Sequence, residues 1–370
     1  MINIKNFEKA WAVILAGGNG TRFWPKSLQR RPKQLAILGT NKKTMLEMTL
    51  DRLDSIIPKE RRIIVTNEAQ MELTKKIAAK SCLHFIPEPV GRNTAAALAI
   101  AALEIKYLTH SDNDTVMLSF HADHIIKDSD LFLKSLEESV RVAEENYLTL
   151  IGVKPKTPDT GFGYIKAGSK INKENIYESY EVHHFFEKPK KEVAEAYLKE
   201  GGYFWNSGLF VWKNNVFLSE IENKLSDTFI KLSHFYEKNR SQKNPFSQKN
   251  FIELYKNLEN ISVDHAIFEK SKKIAMTTTN MNWMDVGSWD ALAKAFPRDD
   301  NGNVTSGNHF LFETKNCVID AGDKFVATIG LEDLIVVTVD NSVLVCHKDK
   351  AQEVKRVVEF LKENGKTEFL

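Results

Sequence analysis

Cysteine is nearly absent. The 370 residues hold three, Cys82, Cys317 and Cys346, far apart and without a CxxC pair. An odd count at such spacing excludes a disulfide framework and a zinc-site pattern, and it points to a reducing compartment. Long apolar runs are missing too. No stretch approaches the ~18 residues that a membrane-spanning helix needs, and the opening MINIKNFEKAW carries Lys and Glu without the apolar core of an export signal. The expected location is the cytoplasm, with no membrane partner. Nor is there much net charge: 51 Lys and Arg against 49 Asp and Glu leave +2, which argues against nucleic acid as the main partner. What is present is ordinary soluble globular material, 42% hydrophobic and 27% charged. The length allows a large core plus a second unit, since single cores stop growing near ~250–300 residues.

Two common phosphate loops are also lacking. In AVILAGGNGTRFWPKSLQRRPKQLAIL, residues 12–38, the apolar run Val13, Ile14 and Leu15 reads as a strand buried on both faces, followed at once by Gly17, Gly18 and Gly20. A P-loop would place Gly where Arg22 stands and then Lys-Ser/Thr, and the dinucleotide fingerprint needs a third glycine where this chain has Phe23. What remains is a glycine turn ending in Arg22, with Lys33 beyond it between Pro32 and Gln34. Convergent N–H groups beside two permanent cations suit a triphosphate. The same residues also read as a tight strand-to-helix turn with solvated basic side chains.

LAGGNGTRFWPKS followed by RPKQL resembles the signature of the sugar-1-phosphate nucleotidylyltransferases, specifically the mannose-1-phosphate guanylyltransferases. The chain departs from that pattern at Lys26 and Leu28, where the family usually has Leu and Arg, and keeps Arg22 and Lys33. By this resemblance Ala16, Gly17, Gly18, Gly20, Thr21 and Arg22 belong to the nucleotide site.

Four further blocks follow in the family's order. Glu88-Pro89-Val90-Gly91-Arg92-Asn93-Thr94 breaks regular structure before an alanine-rich helix, which Asn93 or Thr94 can cap. The resemblance lays this loop, with Glu88, Pro89, Arg92, Asn93 and Thr94, against the nucleotide base. The buried strand 115–120 ends in His121-Ala122-Asp123-His124. Ligands of open α/β sheets bind beyond the carboxyl ends of strands, although a lone Asp there is more often a helix cap. The family places its magnesium aspartate at Asp123, with Pro usual where His121 stands. GFGYI at Gly163 resembles the sugar-binding turn. Glu187-Lys188 before Pro189 suits a sugar hydroxyl and its phosphate, or on its own a surface ion pair. In YFWNSGLFVW, 203–212, Asn206 sits in an apolar run and needs partners, so a polyol ligand is expected there, with Gly208 in the same sugar site. In NWMDVGSW, 282–289, the resemblance makes Asp285 the second metal ligand; a capped turn is the plainer reading.

The alternation of strands and helices predicts an α/β fold. The resemblance makes this a Rossmann-like nucleotidyltransferase domain with a mostly parallel central sheet over 1–297. After a polar linker, residues 298–370 read as a small β unit with a closing helix, which the resemblance makes a short left-handed β-helix. The implied reaction converts GTP and mannose 1-phosphate into GDP-mannose and pyrophosphate, with Mg²⁺ or another divalent cation and a homodimeric assembly. Arg22 and Lys33 would hold the β- and γ-phosphates, Lys188 the sugar phosphate, and Asp123 and Asp285 the metal. The alternatives are the same chemistry with thymidylyl or uridylyl transfer to glucose 1-phosphate, or a non-catalytic GDP-mannose-binding regulator.

Overall fold

The structure, a computed structural model, describes residues 3–18, 20–38, 42–110, 115–171, 177–239, 245–247 and 249–370. Its centre is β1 (Ala10–Leu15), in which every residue is buried. Side chains alternate across a strand, so Trp11, Val13 and Leu15 face one layer while Ala10, Ala12 and Ile14 face the other. The first layer contains the helix Asn93–Thr109, whose alanines are buried almost all round, as small side chains packed close to a sheet require. The second contains the helices Met45–Asp51 and Ser129–Glu144.

Beside β1 run β2 (Arg62–Asn67), β3 (His84–Glu88) and β4 (Val116–His121), all parallel, in the order β3-β2-β1-β4. The short β5 (His124–Ile126) follows β4. The rest of the nine-stranded sheet is built from β6 (Leu148–Val153), β7 (Tyr164–Lys170), β8 (Ser179–Phe186), β9 (Tyr203–Lys213) and β10 (Ile274–Thr279), in the order β9-β6-β10-β8-β7. Here only β6 and β10 pair in parallel; β4–β9, β6–β9, β8–β10, β7–β8 and β7–β9 are antiparallel. The expectation of a mostly parallel sheet therefore holds for one half only. Parallel pairs need long crossovers, and β7 and β8 are instead neighbours in a hairpin.

Two smaller sheets complete the chain. β11 (Trp283–Asp285) pairs antiparallel with β5, setting Asp285 opposite His124. β12 (Val304–Phe312), β13 (Val318–Ile329) and β14 (Leu334–Val339) lie parallel in sequence, and β15 (Ser342–His347) closes them antiparallel, a β-helix-like arrangement followed by the helix Lys355–Glu363. This unit shares a core with the glycine-turn region, for Phe23, Trp24, Val286 and Trp289 cluster with Val318, Ile335, Val337 and Leu361. The Trp24 indole donates to the Phe369 carbonyl at 2.9 Å. Lys26, one of the two departures from the family signature, is explained here: it pairs with the buried Asp320 at 3.0 Å.

Candidate active site

The carboxyl end of β1 passes into the glycine turn, which one side chain stitches shut. Gln34 donates from Nε2 to the carbonyls of Ala16 (2.6 Å) and Gly18 (3.1 Å). Gly20 has φ +57° and a Cβ there would stand 2.5 Å from Lys33 Cβ, so the turn reaches the lysine segment only as glycine. At Gly17 the intruder would be Glu88 Oε2, at 2.8 Å. Thr21–Phe23 then form one 3₁₀ turn that carries Arg22 to a cleft of about 290 Å³, shared with Lys33, Asp123, Asp285 and Gly287.

Lys33 is 5% exposed, and a buried ammonium needs partners. Its Nζ lies 2.9 Å from Asp123 Oδ2 and 3.9 Å from Asp285 Oδ1, and donates to the Val286 carbonyl at 2.5 Å. One cation thus sits between the two carboxylates singled out in the sequence. They reach it from different elements. Asp123 follows β4, and Asp285 arrives on the β5–β11 ribbon. Burial pushes the Asp123 carboxyl up, but the Lys33 charge outweighs it and holds the group well below the ordinary carboxylate range. Asp285 moves up through burial and the neighbouring Asp123 charge. The pair is asymmetric: one carboxylate is firmly ionised, while the other ionises with more difficulty.

Two histidines line the same wall. His121 and His124 lie with ring centroids 4.8 Å apart, and their ligating atoms fall within 4.8 Å of each other and of an Asp123 oxygen. His124 Nδ1 accepts from the Trp283 indole at 3.2 Å; an indole can only donate, so this nitrogen is unprotonated. Burial and the neighbouring His121 keep His124 neutral, well below its usual range. A Cβ on Gly208 (φ +69°) would stand 3.0 Å from the His121 ring, which brings β9 against the two histidines.

The residues expected at a sugar site meet beside it. A Cβ at Gly163 would meet Glu187 Oε2 at 2.6 Å, and the Gly163 carbonyl accepts from Asn206 N at 2.8 Å. Glu187 and Lys188 pair at 2.8 Å, which raises the lysine's pKa, with Asp264 and Asp285 adding to the effect. Asn206 finds protein partners for part of its amide. Its Nδ2 donates to Asp264 Oδ1 at 2.9 Å and its Oδ1 accepts from Gly208 N at 3.0 Å. Asp264 itself is marked by no motif in the sequence. It opens the π-helical turn Asp264–Phe268, a rare element found often at functional sites. Burial, then the Glu187 charge, pushes its carboxyl up to about 6.

The loop 88–94 departs from expectation in its cap. Asn93 takes φ +60° and turns its Oδ1 to the Thr94 N–H, and the Thr94 hydroxyl accepts from Val263 N at 2.9 Å, so neither caps the helix in the usual way. Arg92 donates to the Lys256 carbonyl. Glu88, 8% exposed, accepts from the Tyr255 hydroxyl at 2.7 Å, and burial pushes its carboxyl up to about 7 against that hydrogen bond.

Known proteins resemble this chain over most of its length. The nucleotidyl transferase family matches residues 11–302, and a mannoseP isomerase/GMP-like β-helix domain matches 307–361. A mannose-1-phosphate guanylyltransferase of Klebsiella pneumoniae is 36% identical over 96% of this chain and 75% of its own length. The alginate biosynthesis protein AlgA of Pseudomonas putida is 34% identical over 96% and 72%. A crystal structure described as a mannose-1-phosphate geranyltransferase, from Thermus thermophilus, superposes with a TM-score of 0.84 at 31% identity, covering 96% of this chain and 99% of that one. Family substrates are a nucleoside triphosphate and a sugar 1-phosphate, family members use a divalent metal, and no helix of the described residues is long and apolar enough to cross a membrane. By the extent of these matches, the chain belongs to the nucleotidyl transferase family and, within it, to the mannose-1-phosphate guanylyltransferases.

Proposed function

We propose that this chain transfers GMP from GTP to α-D-mannose 1-phosphate. A phosphate oxygen of the sugar phosphate forms a bond to the α-phosphorus, the bond from that phosphorus to the bridging oxygen breaks, and pyrophosphate leaves with the electron pair. The protein's work is positioning and charge neutralisation. Arg22 at the open side of the cleft meets the β- and γ-phosphates, joined by Lys33 once it is released from the carboxylates. Lys188 meets the sugar phosphate, so the two anions approach between opposite cations. Gly163, Glu187, Asn206 and Gly208 bound the sugar pocket, and Glu88 to Thr94 the base.

Asp123 and Asp285 suit a hard divalent cation such as Mg²⁺, because they already converge on one positive charge, the Lys33 ammonium. When bound, that ion supplies neutralisation of phosphate charge. The observation that carries the reading is this lysine clasped by two carboxylates at the foot of a glycine turn. We take residues 1–297 as the catalytic unit and 298–370 as a packing unit, working as a homodimer in the cytoplasm where GTP is available. For the dimer, Phe310, Phe312, Phe325 and Ile329 are each more than half exposed on paired strands, with Phe312 opposite Ile329. Such an apolar face favours a protein partner.

Pyrophosphate release across a panel of nucleoside triphosphates and sugar 1-phosphates tests the assignment. GTP with mannose 1-phosphate should exceed every other pair. Equal turnover with dTTP or UTP, or none with any pair, would overturn it.

A further inference from the structure

We propose that Tyr255 is a positioning residue for base choice, fixing Glu88 so that its second carboxylate oxygen reads the guanine edge. The proposal rests on GTP being the substrate, as argued above. Glu88 ends β3 at the carboxyl edge of the sheet, beside the turn that gathers the phosphates. One oxygen, Oε1, is taken by the Tyr255 hydroxyl at 2.7 Å. The other, Oε2, stands over Gly17, close enough that any side chain there would displace it. A carboxylate pinned at one oxygen cannot rotate to suit whichever base arrives.

The chemistry of the bases then selects. Guanine presents two adjacent donors, N1–H and the 2-amino group, and both favour an ionised acceptor. Uracil and thymine present one donor between two carbonyls, which a carboxylate repels. Adenine offers an unprotonated N1 at the corresponding position. The phenol is suited to hold such an acceptor, since Tyr255 is fully buried against Phe251, and burial with the neighbouring Glu88 charge keeps it protonated.

The surroundings show that this hydrogen bond is one of a series. Arg92 donates to the Lys256 carbonyl, Ala95 N to the Ile261 carbonyl at 3.3 Å, and Val263 N to the Thr94 hydroxyl at 2.9 Å. The base loop is therefore strapped along 255–263. The next residue is Asp264, which holds Asn206 on the sugar side. Nothing in the sequence marks Tyr255, a tyrosine among the apolar positions of the helix Lys249–Lys256.

The test compares GTP with ITP, which lacks the 2-amino group, in wild type and Tyr255→Phe, with thermal melts alongside. The wild type should prefer GTP. Tyr255→Phe should raise KM for GTP on the order of tenfold with kcat little changed, and ITP should lose less, so that the GTP:ITP ratio of kcat/KM falls several-fold. A purely structural role lowers the melting temperature and leaves that ratio alone, which would overturn the proposal. Should Tyr255→Phe fail to fold, Glu88→Leu decides. An apolar side chain of similar size leaves the guanine donors with no acceptor, so the GTP preference over ITP should collapse; a preserved preference would overturn the proposal. Wild type that does not turn over GTP would instead sink the parent assignment.

Discussion

The two halves of the central sheet contribute to the site in different ways. In the parallel half, β3-β2-β1-β4, each candidate group stands just beyond or at the carboxyl end of a strand: Gly17 to Arg22 after β1, Glu88 at the end of β3, Asp123 after β4. In the mixed half, Asn206 projects from within β9, Glu187 and Lys188 follow β8, and Asp264 comes from a π-helical turn outside the sheet. The parallel half places charge by topology. The mixed half places it by side-chain partnership, through Asn206 to Asp264 and Glu187 to Lys188. Changes in the first should therefore damage turnover with any sugar, and changes in the second should act through the sugar phosphate.

The largest loss is expected from Lys33→Ala. It removes a buried cation from two carboxylates and a triphosphate at once, and losing a positioned donor of this kind costs on the order of 10²–10³ in rate. Near-wild-type kcat in a folded Lys33→Ala protein would break the assignment of catalysis to the parallel half.

Legibility in the sequence divides along the same line. Apolar runs ending in glycines or an acid mark the parallel half, so local pattern singles out Arg22, Lys33 and Asp123, and five motif blocks in family order support them. Asp264 is not legible, because its role depends on Asn206, with which it shares no local pattern and which meets it only in the fold. The sequence singles out Asp285 but not its support, since a three-residue strand in a ribbon looks in sequence like any apolar segment. Asn93 illustrates a third limit: an Asn before a helix reads as a cap, yet its positive φ turns the side chain back on the next N–H.

A smaller and more selective effect is expected from Asp264→Asn. The amide removes the charge beside Glu187 and leaves Asn206 facing a weaker acceptor, so KM for the sugar phosphate should rise roughly tenfold, the scale of one hydrogen bond to a charged group, while KM for GTP moves little. Equal changes in both constants would erase the distinction between the halves.

The smallest effect separates the halves by pH. Glu88 loses its charge as pH falls through about 7 and Asp264 through about 6. Both carboxyls are raised by burial, so each is a weaker acceptor below its own value and fully ionised above it. KM for GTP should therefore begin to rise at a higher pH than KM for the sugar phosphate. Glu88→Gln should flatten the first profile and Asp264→Asn the second, which separates these groups from the titration of the substrates' own phosphates. Profiles that persist in the variants would assign the effect to the substrates.

The central claim is that Asp123 and Asp285, from a strand end and a ribbon, act as one site around a shared cation. Pyrophosphate release by Asp123→Asn, Asp285→Asn and the double variant, over a Mg²⁺ titration with thermal melts alongside, tests it most directly. Each single variant should lose most activity, and the double should lose little more, because residues acting as a unit are non-additive. Wild-type turnover in Asp285→Asn, or losses in the two singles that multiply in the double, would contradict it.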